Sequence, residues 1–136
     1  MSSGYSKTPL IKKLGIKSGN KILLVHEPDH YSELLGPLPD DTKIVKEGAK
    51  DLADFIHLFA KDEETLHNLF AALKSKLDIN GMIWVSWIKK SSKMETDISE
   101  SDVRNLGLKL GLVDVKICAV DDNWSGLKFV FRKRDR

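Results

Sequence analysis

A short stretch in the middle of the chain combines side chains that could bind an anion or a nucleotide. It contains Trp84, Trp87, Lys89, Lys90 and Ser91. Indole rings stack on flat ligands and lysine ammonium groups hold phosphate, so the pattern indicates a ligand site. Core tryptophans followed by a solvated loop would give the same pattern. Neighbouring side chains of an extended chain point apart, so we expect at most one of the two lysines to face a ligand.

A second candidate site lies near the carboxyl terminus, where the sequence is Trp124-Ser125-Gly126-Leu127-Lys128. Exposed aromatic and cationic side chains in loops are over-represented in binding sites, so Trp124 and Lys128 are candidate ligand-binding residues. The alternative is structural. Gly126 would then serve a tight turn or a bulge, and Trp124 would cover the edge of a sheet.

The histidines and the single cysteine are the remaining candidates for chemistry. His26 is the last residue of a predicted strand, at a position that faces the ligand in parallel-sheet proteins, and it is the histidine to test for acid–base work. His57 lies inside an apolar run and is expected to be a core histidine with a hydrogen-bond partner. Cys118 is expected to pack within a strand rather than react, because nothing near it would clearly lower its pKa.

Other motifs that carry chemistry do not occur in the sequence. The histidines show no HExxH-like spacing, so we predict no metal site. There is no GxSxG and no P-loop pattern, and we assign no catalytic residue. The helix that follows Ser99 could offer backbone N–H groups to an anion. We expect it to do so better than the helix after Asp62, where Asp62 and Glu63 already bring negative charge.

The elements that would position these residues alternate between strand and helix. The predicted strands, in chain order, are 21–26, 42–46, 54–60, 82–87, 112–120 and 124–132. The predicted helices are 9–14, 28–35, 62–77 and 99–110. Strands come from apolar or alternating runs, and helices from apolar residues at helical spacing with N-cap residues before them. Asn80-Gly81 is predicted to be a turn between a helix and a strand.

This order of elements predicts an α/β fold. Strand–helix–strand alternation implies right-handed crossovers and a parallel sheet with helices on both faces. The last two strands are joined by a turn too short for a crossover, so they should pair antiparallel. We therefore predict a three-layer, Rossmann-like, mostly parallel sheet of about six strands with an antiparallel C-terminal edge strand. One domain spans residues 1–136, and residues 1–7 form an irregular leader.

Composition limits the classes of partner. A chain of 136 residues with 41% hydrophobic residues is expected to form one globular domain. Its net charge is only +2, which argues against nucleic acid as a partner. No apolar run approaches the ~20 residues of a membrane span, and no signal peptide is seen, so no membrane partner is expected. With a single cysteine, these features predict a cytoplasmic protein.

Three segments resemble S-adenosylmethionine-dependent methyltransferases. The segment 14–25, Leu-Gly-Ile-Lys-Ser-Gly-Asn-Lys-Ile-Leu-Leu-Val, resembles the lead-in to the first strand of those enzymes. Segments 54–59 and 80–85 resemble their fourth and fifth strands, and the closing antiparallel strand also fits. This resemblance is one of fold and implies a shortened methyltransferase-like domain.

A closer resemblance runs from end to end of the chain. The residues that carry it include Gly4-Tyr5-Ser6, Thr8-Pro9-Leu10, Leu35-Gly36-Pro37-Leu38-Pro39, Asp54-Phe55-Ile56-His57-Leu58-Phe59, Trp84-Val85-Ser86-Trp87, Gly111-Leu112-Val113-Asp114 and Trp124-Ser125-Gly126-Leu127-Lys128. In these residues the chain resembles a bacterial family filed as domain of unknown function 3052. That family brings no established activity to carry over.

The methyltransferase resemblance implies a cofactor site with a part missing. Methyltransferases place a glycine-rich turn after the first strand, which lets the backbone approach the cofactor. Here residues 26–30 are His-Glu-Pro-Asp-His, and no glycine follows until Gly36. Glu47 could match by position the acidic residue that commonly holds the ribose hydroxyls, although an isolated glutamate in a loop is more often solvated than bound to a ligand. Because the glycines are missing and two βα units are compressed into residues 36–53, we predict no cofactor and do not expect S-adenosylmethionine.

Three functions remain open. We prefer a non-catalytic binding or regulatory module that uses the carboxyl ends of its strands for an anionic small molecule or a protein partner. The first alternative is a divergent methyltransferase-like enzyme, in which Glu47 would hold S-adenosylmethionine. The second is a homodimer formed through an exposed edge strand or an apolar patch. The chain would accordingly be a monomer or a homodimer.

Overall fold

The computed structural model describes residues 8–136, where six strands form one sheet. The strands are β1 Lys21–Val25, β2 Lys43–Ile44, β3 Ala53–Phe59, β4 Leu77–Ile88, β5 Leu112–Ala119 and β6 Trp124–Phe131. The helices are α1 Leu10–Leu14, α2 Tyr31–Leu35, α3 Glu63–Lys74 and α4 Glu100–Lys109, followed at the end by a 3-10 turn, Lys133–Asp135. The predicted leader, residues 1–7, lies outside the described residues.

The sheet has the strand order β2-β1-β3-β4-β6-β5. The pairs β1–β2, β1–β3 and β3–β4 are parallel, and β6 is antiparallel to both β4 and β5. The predicted α/β class, the mostly parallel sheet and the antiparallel pairing of the last two strands are therefore confirmed.

The predicted edge position of the C-terminal strand is wrong. β6 lies between β4 and β5, and β5 is the edge strand. β6 tolerates an inner position because both of its faces are covered. Leu127 and Phe129 are buried on the face that carries α3 and α4. On the other face Gly126 lets Ser86 and Trp84 approach, and a Cβ there would lie 3.0 Å from Ser86 Oγ.

The predicted turn at Asn80-Gly81 is also wrong, because β4 runs through both residues without a break. Gly81 serves a different purpose. A Cβ at this position would lie 2.7 Å from the carbonyl oxygen of Asp54, so only glycine lets β4 approach β3 this closely. The register between the two strands also shifts here, between Ala53 and Phe55.

The two longer helices begin where their N-cap residues predict. The Asp62 carboxylate accepts a hydrogen bond from the backbone N–H of Thr65 at 2.7 Å, which starts α3. Ser99 and Asp102 form a capping box at the start of α4. The short helix α1 ends at Gly15, whose φ of 85° lies in the left-handed region that favours glycine.

Helices cover both faces of the sheet and bury two apolar layers. One layer lies under α3 and α4 and includes Ile83, Val85 and Phe129. The other lies under α1 and α2 and includes Phe55 and Trp84. Burying both faces of β3 and β4 fixes the sheet rigidly, and this places the loops after those strands.

Candidate functional site

Strands β1, β3 and β4 all end at one edge of the sheet, called the carboxyl edge below. An open depression of about 780 Å³ lies at this edge, called the edge depression. Its charged lining residues are Lys61, Asp62, Lys89, Lys90, Glu95 and Asp97. Ligands of open α/β sheets bind beyond the carboxyl ends of the strands, so the depression has the expected position for a site.

His26 follows β1 with an unusual backbone. Its φ of 59° lies in the left-handed region, which histidine visits more readily than most residues but glycine favours. Its side chain lines a crevice of about 270 Å³ together with Phe59, Asp62 and Trp124. The first turn therefore takes a backbone path suited to glycine while carrying an imidazole. Such conformations are concentrated at functional sites.

The carboxylates beside the edge depression are largely committed to the start of α3. Asp62 accepts from the N–H of Thr65, and Asp97 accepts from the N–H of Glu63 at 2.8 Å. The pKa of Asp62 is lowered chiefly by the hydrogen bonds from Thr65, with a smaller contribution from His26. These two acids therefore serve the helix, whereas Lys61, Lys90 and Glu95 have no ion-pair partner within residues 8–136.

The start of α4 is no better an anion site than the start of α3, contrary to expectation. The N–H of Asp102 donates to Ser99 Oγ at 3.2 Å, and the Asp102 carboxylate accepts a hydrogen bond from the N–H of Ser99 at 2.8 Å. Glu100 adds a further carboxylate in the first turn. Negative charge at this helix start repels an anion.

Both Lys89 and Lys90 line the edge depression, and that at most one of them faces a ligand stays a prediction. The alternation of side chains holds only within a strand, and β4 ends at Ile88 before both lysines. Lys89 is half-buried, and burial lowers the pKa of its ammonium group although Asp121 and Asp122 oppose the shift. Ser91 is exposed in the same loop but does not line the depression.

The three tryptophans belong to the core. Trp84, Trp87 and Trp124 expose 0%, 5% and 5% of their surface, too little for a ligand to stack on a ring face. The Trp84 indole donates from Nε1 to the carbonyl oxygen of Leu14 at 2.8 Å. The Trp124 ring meets Phe59 edge-on at 5.0 Å between centroids. The rings of Trp84, Trp87 and Trp124 are therefore packed in the core, as the structural alternative to ligand stacking predicts.

Two predicted site residues lie away from the others. Glu47 is exposed after β2 and lines a separate hollow of about 160 Å³ with Leu23 and Val25. Lys128 lies in the middle of β6, opposite Trp84, rather than in a loop at the carboxyl edge. The structure thus brings Lys89 and Lys90 to the edge depression and His26 to a crevice at the same edge, whereas Glu47 lines a separate hollow and Lys128 lies within β6.

A buried polar network crosses the core beside this edge. Nδ1 of His57 lies 2.7 Å from the Tyr31 hydroxyl, and Nε2 lies 2.7 Å from Ser86 Oγ. His57 thus has the hydrogen-bond partner that the sequence predicted, but nothing local identified Tyr31 or Ser86 as that partner. Burial raises the pKa of Tyr31 and lowers the pKa of His57 to about 3, so both side chains are neutral at pH 7.

An apolar cavity of about 500 Å³ lies between β1, β2 and α2, and sequence reasoning missed it. Ile22, Leu24 and Leu35 form part of its wall, and Ile44 is 55% exposed at its rim. The cavity exists because β2 has only two residues and α2 only five. The compressed segment 36–53 was the available signal, because so short a connection cannot cover the first strands fully.

Residues 8–136 contain no group of three or more His, Cys, Asp or Glu side chains placed to hold a metal ion. Within the same residues, no helix has the length and apolar character needed to cross a membrane. Cys118 is partly buried, and burial raises the pKa of its thiol, which opposes reactivity.

Comparisons with known proteins agree with the fold. Residues 12–133 match the model of the family described as Protein of unknown function (DUF3052). No curated protein matches the chain. The fold is similar to a SAM dependent methyltransferase from Aquifex aeolicus, with 15% identity over 88% of this chain and 86% of that chain and a TM-score of 0.58.

Two further solved structures are similar at still lower identity. Magnesium protoporphyrin IX methyltransferase from Synechocystis PCC 6803, with bound SAH, has 10% identity and a TM-score of 0.61, covering 90% of this chain and 78% of that chain. Precorrin-6y C5,15-methyltransferase from Geobacter metallireducens GS-15 has 8% identity and a TM-score of 0.61, covering 90% and 86%. At these identities the similarity shows a Rossmann-like, methyltransferase-like fold and nothing about activity.

Proposed function

Because the chain belongs to the family Protein of unknown function (DUF3052), which assigns no activity, we propose a function from the site itself. The protein is a non-catalytic binding module that takes an anionic small molecule at its carboxyl edge. The observation that carries this proposal is the convergence of Lys61, Lys89 and Lys90 on one depression of about 780 Å³. Two separate loops, after β3 and after β4, supply these lysines.

The charge of these lysines supports an anionic ligand. Within the described residues, neither Lys61 nor Lys90 has an ion-pair partner. The neighbouring acids Asp62 and Asp97 are hydrogen-bonded to backbone N–H groups of α3. An ammonium group without an ion-pair partner can bind phosphate or carboxylate, and Glu95 is the remaining carboxylate in the lining of the depression.

The turn after β1 supports binding without methyl transfer. A methyltransferase cofactor would need the backbone of this turn at close range, and glycine provides that approach. His26 instead places an imidazole in the crevice beside Asp62 and Trp124.

Calorimetry with the full chain tests the proposal. ATP, glucose 6-phosphate and S-adenosylmethionine would each be titrated into the wild-type protein and into the variants Lys61→Gln, Lys90→Gln and Lys109→Gln. We expect one of the two phosphate compounds to bind, and each edge variant to weaken its binding about tenfold. Lys109→Gln makes the same charge change on exposed α4 and should leave binding unchanged. The proposal would be refuted if neither phosphate compound bound, or if the edge variants bound it with the same affinity as the wild-type protein.

A divergent methyltransferase is a second candidate, favoured by the fold and by the left-handed backbone at His26. It predicts that S-adenosylmethionine binds and that Glu47→Ala abolishes the binding. Glu47→Ala changes an exposed loop residue, so the variant should fold normally. No heat of binding at millimolar S-adenosylmethionine would remove this candidate.

A homodimer through the edge strand has weaker support. Val115 and Ile117 on β5 are 53% and 48% exposed, which provides apolar contact area. The register of β5 shifts between Asp114 and Lys116, however, and this bulge interrupts the regular edge. Bulges and lysines on edge strands prevent edge-to-edge pairing.

A further inference from the structure

Two lysines stand directly opposite each other on neighbouring strands, away from the edge depression. Lys116 of β5 and Lys128 of β6 are Cα partners in an antiparallel pair, and their side chains share one face of the sheet. Like charges at directly opposed positions destabilise a sheet. The Lys116–Lys128 pair is therefore expected to destabilise the sheet unless a negative charge lies between the two ammonium groups.

Two more lysines reach the same face from the other side. Lys116 Nζ donates to the carbonyl oxygen of Lys13 at 2.9 Å, which brings the end of α1 against β5. Lys17 follows α1 and acts electrostatically on Lys128. The Nζ of Lys128 lies against the Gly15 backbone, 3.9 Å from where a Cβ would be. Lys13, Lys17, Lys116 and Lys128 are called the lysine cluster below.

No carboxylate of the described residues pairs with the ammonium groups of Lys17, Lys116 or Lys128. The sequence of residues 1–7 contains no acidic residue either. The pKa of Lys128 is lowered first by burial and then by Lys116 and Lys17, so its neighbours oppose its charge.

A structural role explains Lys116 but not Lys128. The hydrogen bond of Lys116 to the last turn of α1 is a normal way to satisfy helix carbonyl groups. Lys128 is different, because its ammonium group makes no hydrogen bond within the described residues although it is partly buried. It lies on the sheet face between the end of α1 and the edge strand β5, and its side chain is only partly buried.

We propose that the lysine cluster is a second anion site, separate from the edge depression, that binds a phosphate group between Lys116 and Lys128. Two ammonium groups opposed across a strand pair match the charge of one phosphate dianion, and lysine binds phosphate as a point charge. The bound anion removes the repulsion between the lysines and supplies the missing acceptor for Lys128.

Titration of the full chain with inorganic phosphate and with glycerol 3-phosphate, at constant ionic strength kept with sodium chloride, tests this site. We expect binding that Lys116→Gln and Lys128→Gln each weaken about tenfold. Lys109→Gln is the matched charge control on α4, and it should bind like the wild-type chain. Tighter binding of the ester would support a phosphate carried by a larger ligand, and equal binding would support phosphate itself.

The same experiment separates the two anion sites. Lys61→Gln and Lys90→Gln should retain this binding, so failure of the proposed edge site would leave the lysine cluster untouched. Binding lost only in those edge variants would refute the cluster as a site. So would absence of phosphate binding at matched ionic strength.

Melting temperatures measured with and without phosphate provide a second, independent test of the lysine cluster. Without added anion, Lys128→Gln should be at least as stable as the wild-type chain, because an uncompensated charge is removed. In a Lys61→Gln background, which weakens the edge site, phosphate should raise the melting temperature, and adding Lys128→Gln should remove that increase. A Lys128→Gln chain that unfolds at a lower temperature without anion would show that Lys128 stabilises the fold itself, and would overturn the proposal.

Discussion

The hydroxyl oxygen of Tyr31 lies 2.7 Å from Nδ1 of His57, and both side chains are buried in the core. The other ring nitrogen, Nε2, lies 2.7 Å from Ser86 Oγ. A neutral imidazole has one donor and one acceptor nitrogen, so one partner donates to the ring and the other accepts from it. The network therefore fixes α2 against β3 and β4 and holds the start of α2 below the turn that carries His26.

The free energy of unfolding should decrease as the pH is lowered, because His57 is buried in its neutral form. Burial lowers the pKa of His57 to about 3, below the ordinary value of 6.5, so the unfolded chain binds the proton more readily than the folded one. The stabilising effect is complete above pH 6.5 and is lost as the pH falls towards 3. At pH 5 the loss should be about 2 kcal/mol. Urea unfolding between pH 7 and pH 4.5 measures it, and His57→Gln should remove most of the slope. An equal slope in that variant would contradict the prediction.

Removal of the Tyr31 hydroxyl should leave a buried nitrogen of His57 without a partner. We expect Tyr31→Phe to lower the free energy of unfolding by about 1–3 kcal/mol. In a His57→Phe background the same change should cost much less, because no ring nitrogen is left unsatisfied. Chemical denaturation of the four chains gives the coupling energy. Equal costs in both backgrounds would show that the hydroxyl contributes independently of His57.

Helix α4 should not tolerate a side chain at Gly107. A Cβ at this position would lie 2.1 Å from Cε2 of Phe129, which packs against the helix from β6. Overpacking costs about 1–3 kcal/mol, and here we expect it to exceed the gain of about 1 kcal/mol from the helix propensity of alanine. Thermal unfolding of Gly107→Ala should show the loss, and Phe129→Leu should reduce it. Asn105→Ala, exposed on the same helix, is the control and should not destabilise the chain.

The capping box of α4 should contribute measurably to stability. Ser99→Ala removes the acceptor for the N–H of Asp102 and should cost about 1 kcal/mol. Ser101→Ala alters an exposed hydroxyl two residues later and should be nearly neutral. Urea denaturation compares the two variants directly. A cost at Ser101 as large as that at Ser99 would mean that the cap itself is not responsible.

The helices show what local sequence can predict. α3 and α4 begin at Asp62 and Ser99 because each cap forms within three residues of chain. Gly15 ends α1 for the same local reason. The His57 environment was also predictable, since a histidine inside an apolar strand must be neutral and hydrogen-bonded.

The candidate site shows where local sequence is insufficient. Lys89 and Lys90 were recognised, but Lys61, which completes the edge depression, follows a different strand and was not included. Lys128 is a predicted ligand residue within the strand 124–132, and the structure pairs it with Trp84 in the middle of β4, away from the carboxyl edge. The lysine cluster cannot be predicted from local sequence, because Lys13 and Lys116 are far apart in the chain and come into contact only in the folded structure.

The sequence by itself determined the class of fold, because strand and helix periodicity and the N-caps act over a few residues. It also determined that the turn after β1 lacks glycine. Only the tertiary structure decided that β6 lies inside the sheet, that Asn80-Gly81 continues a strand, and which lysines converge. Those outcomes depend on strand order and on close approaches such as Gly81 to Asp54, which are set by packing between distant segments.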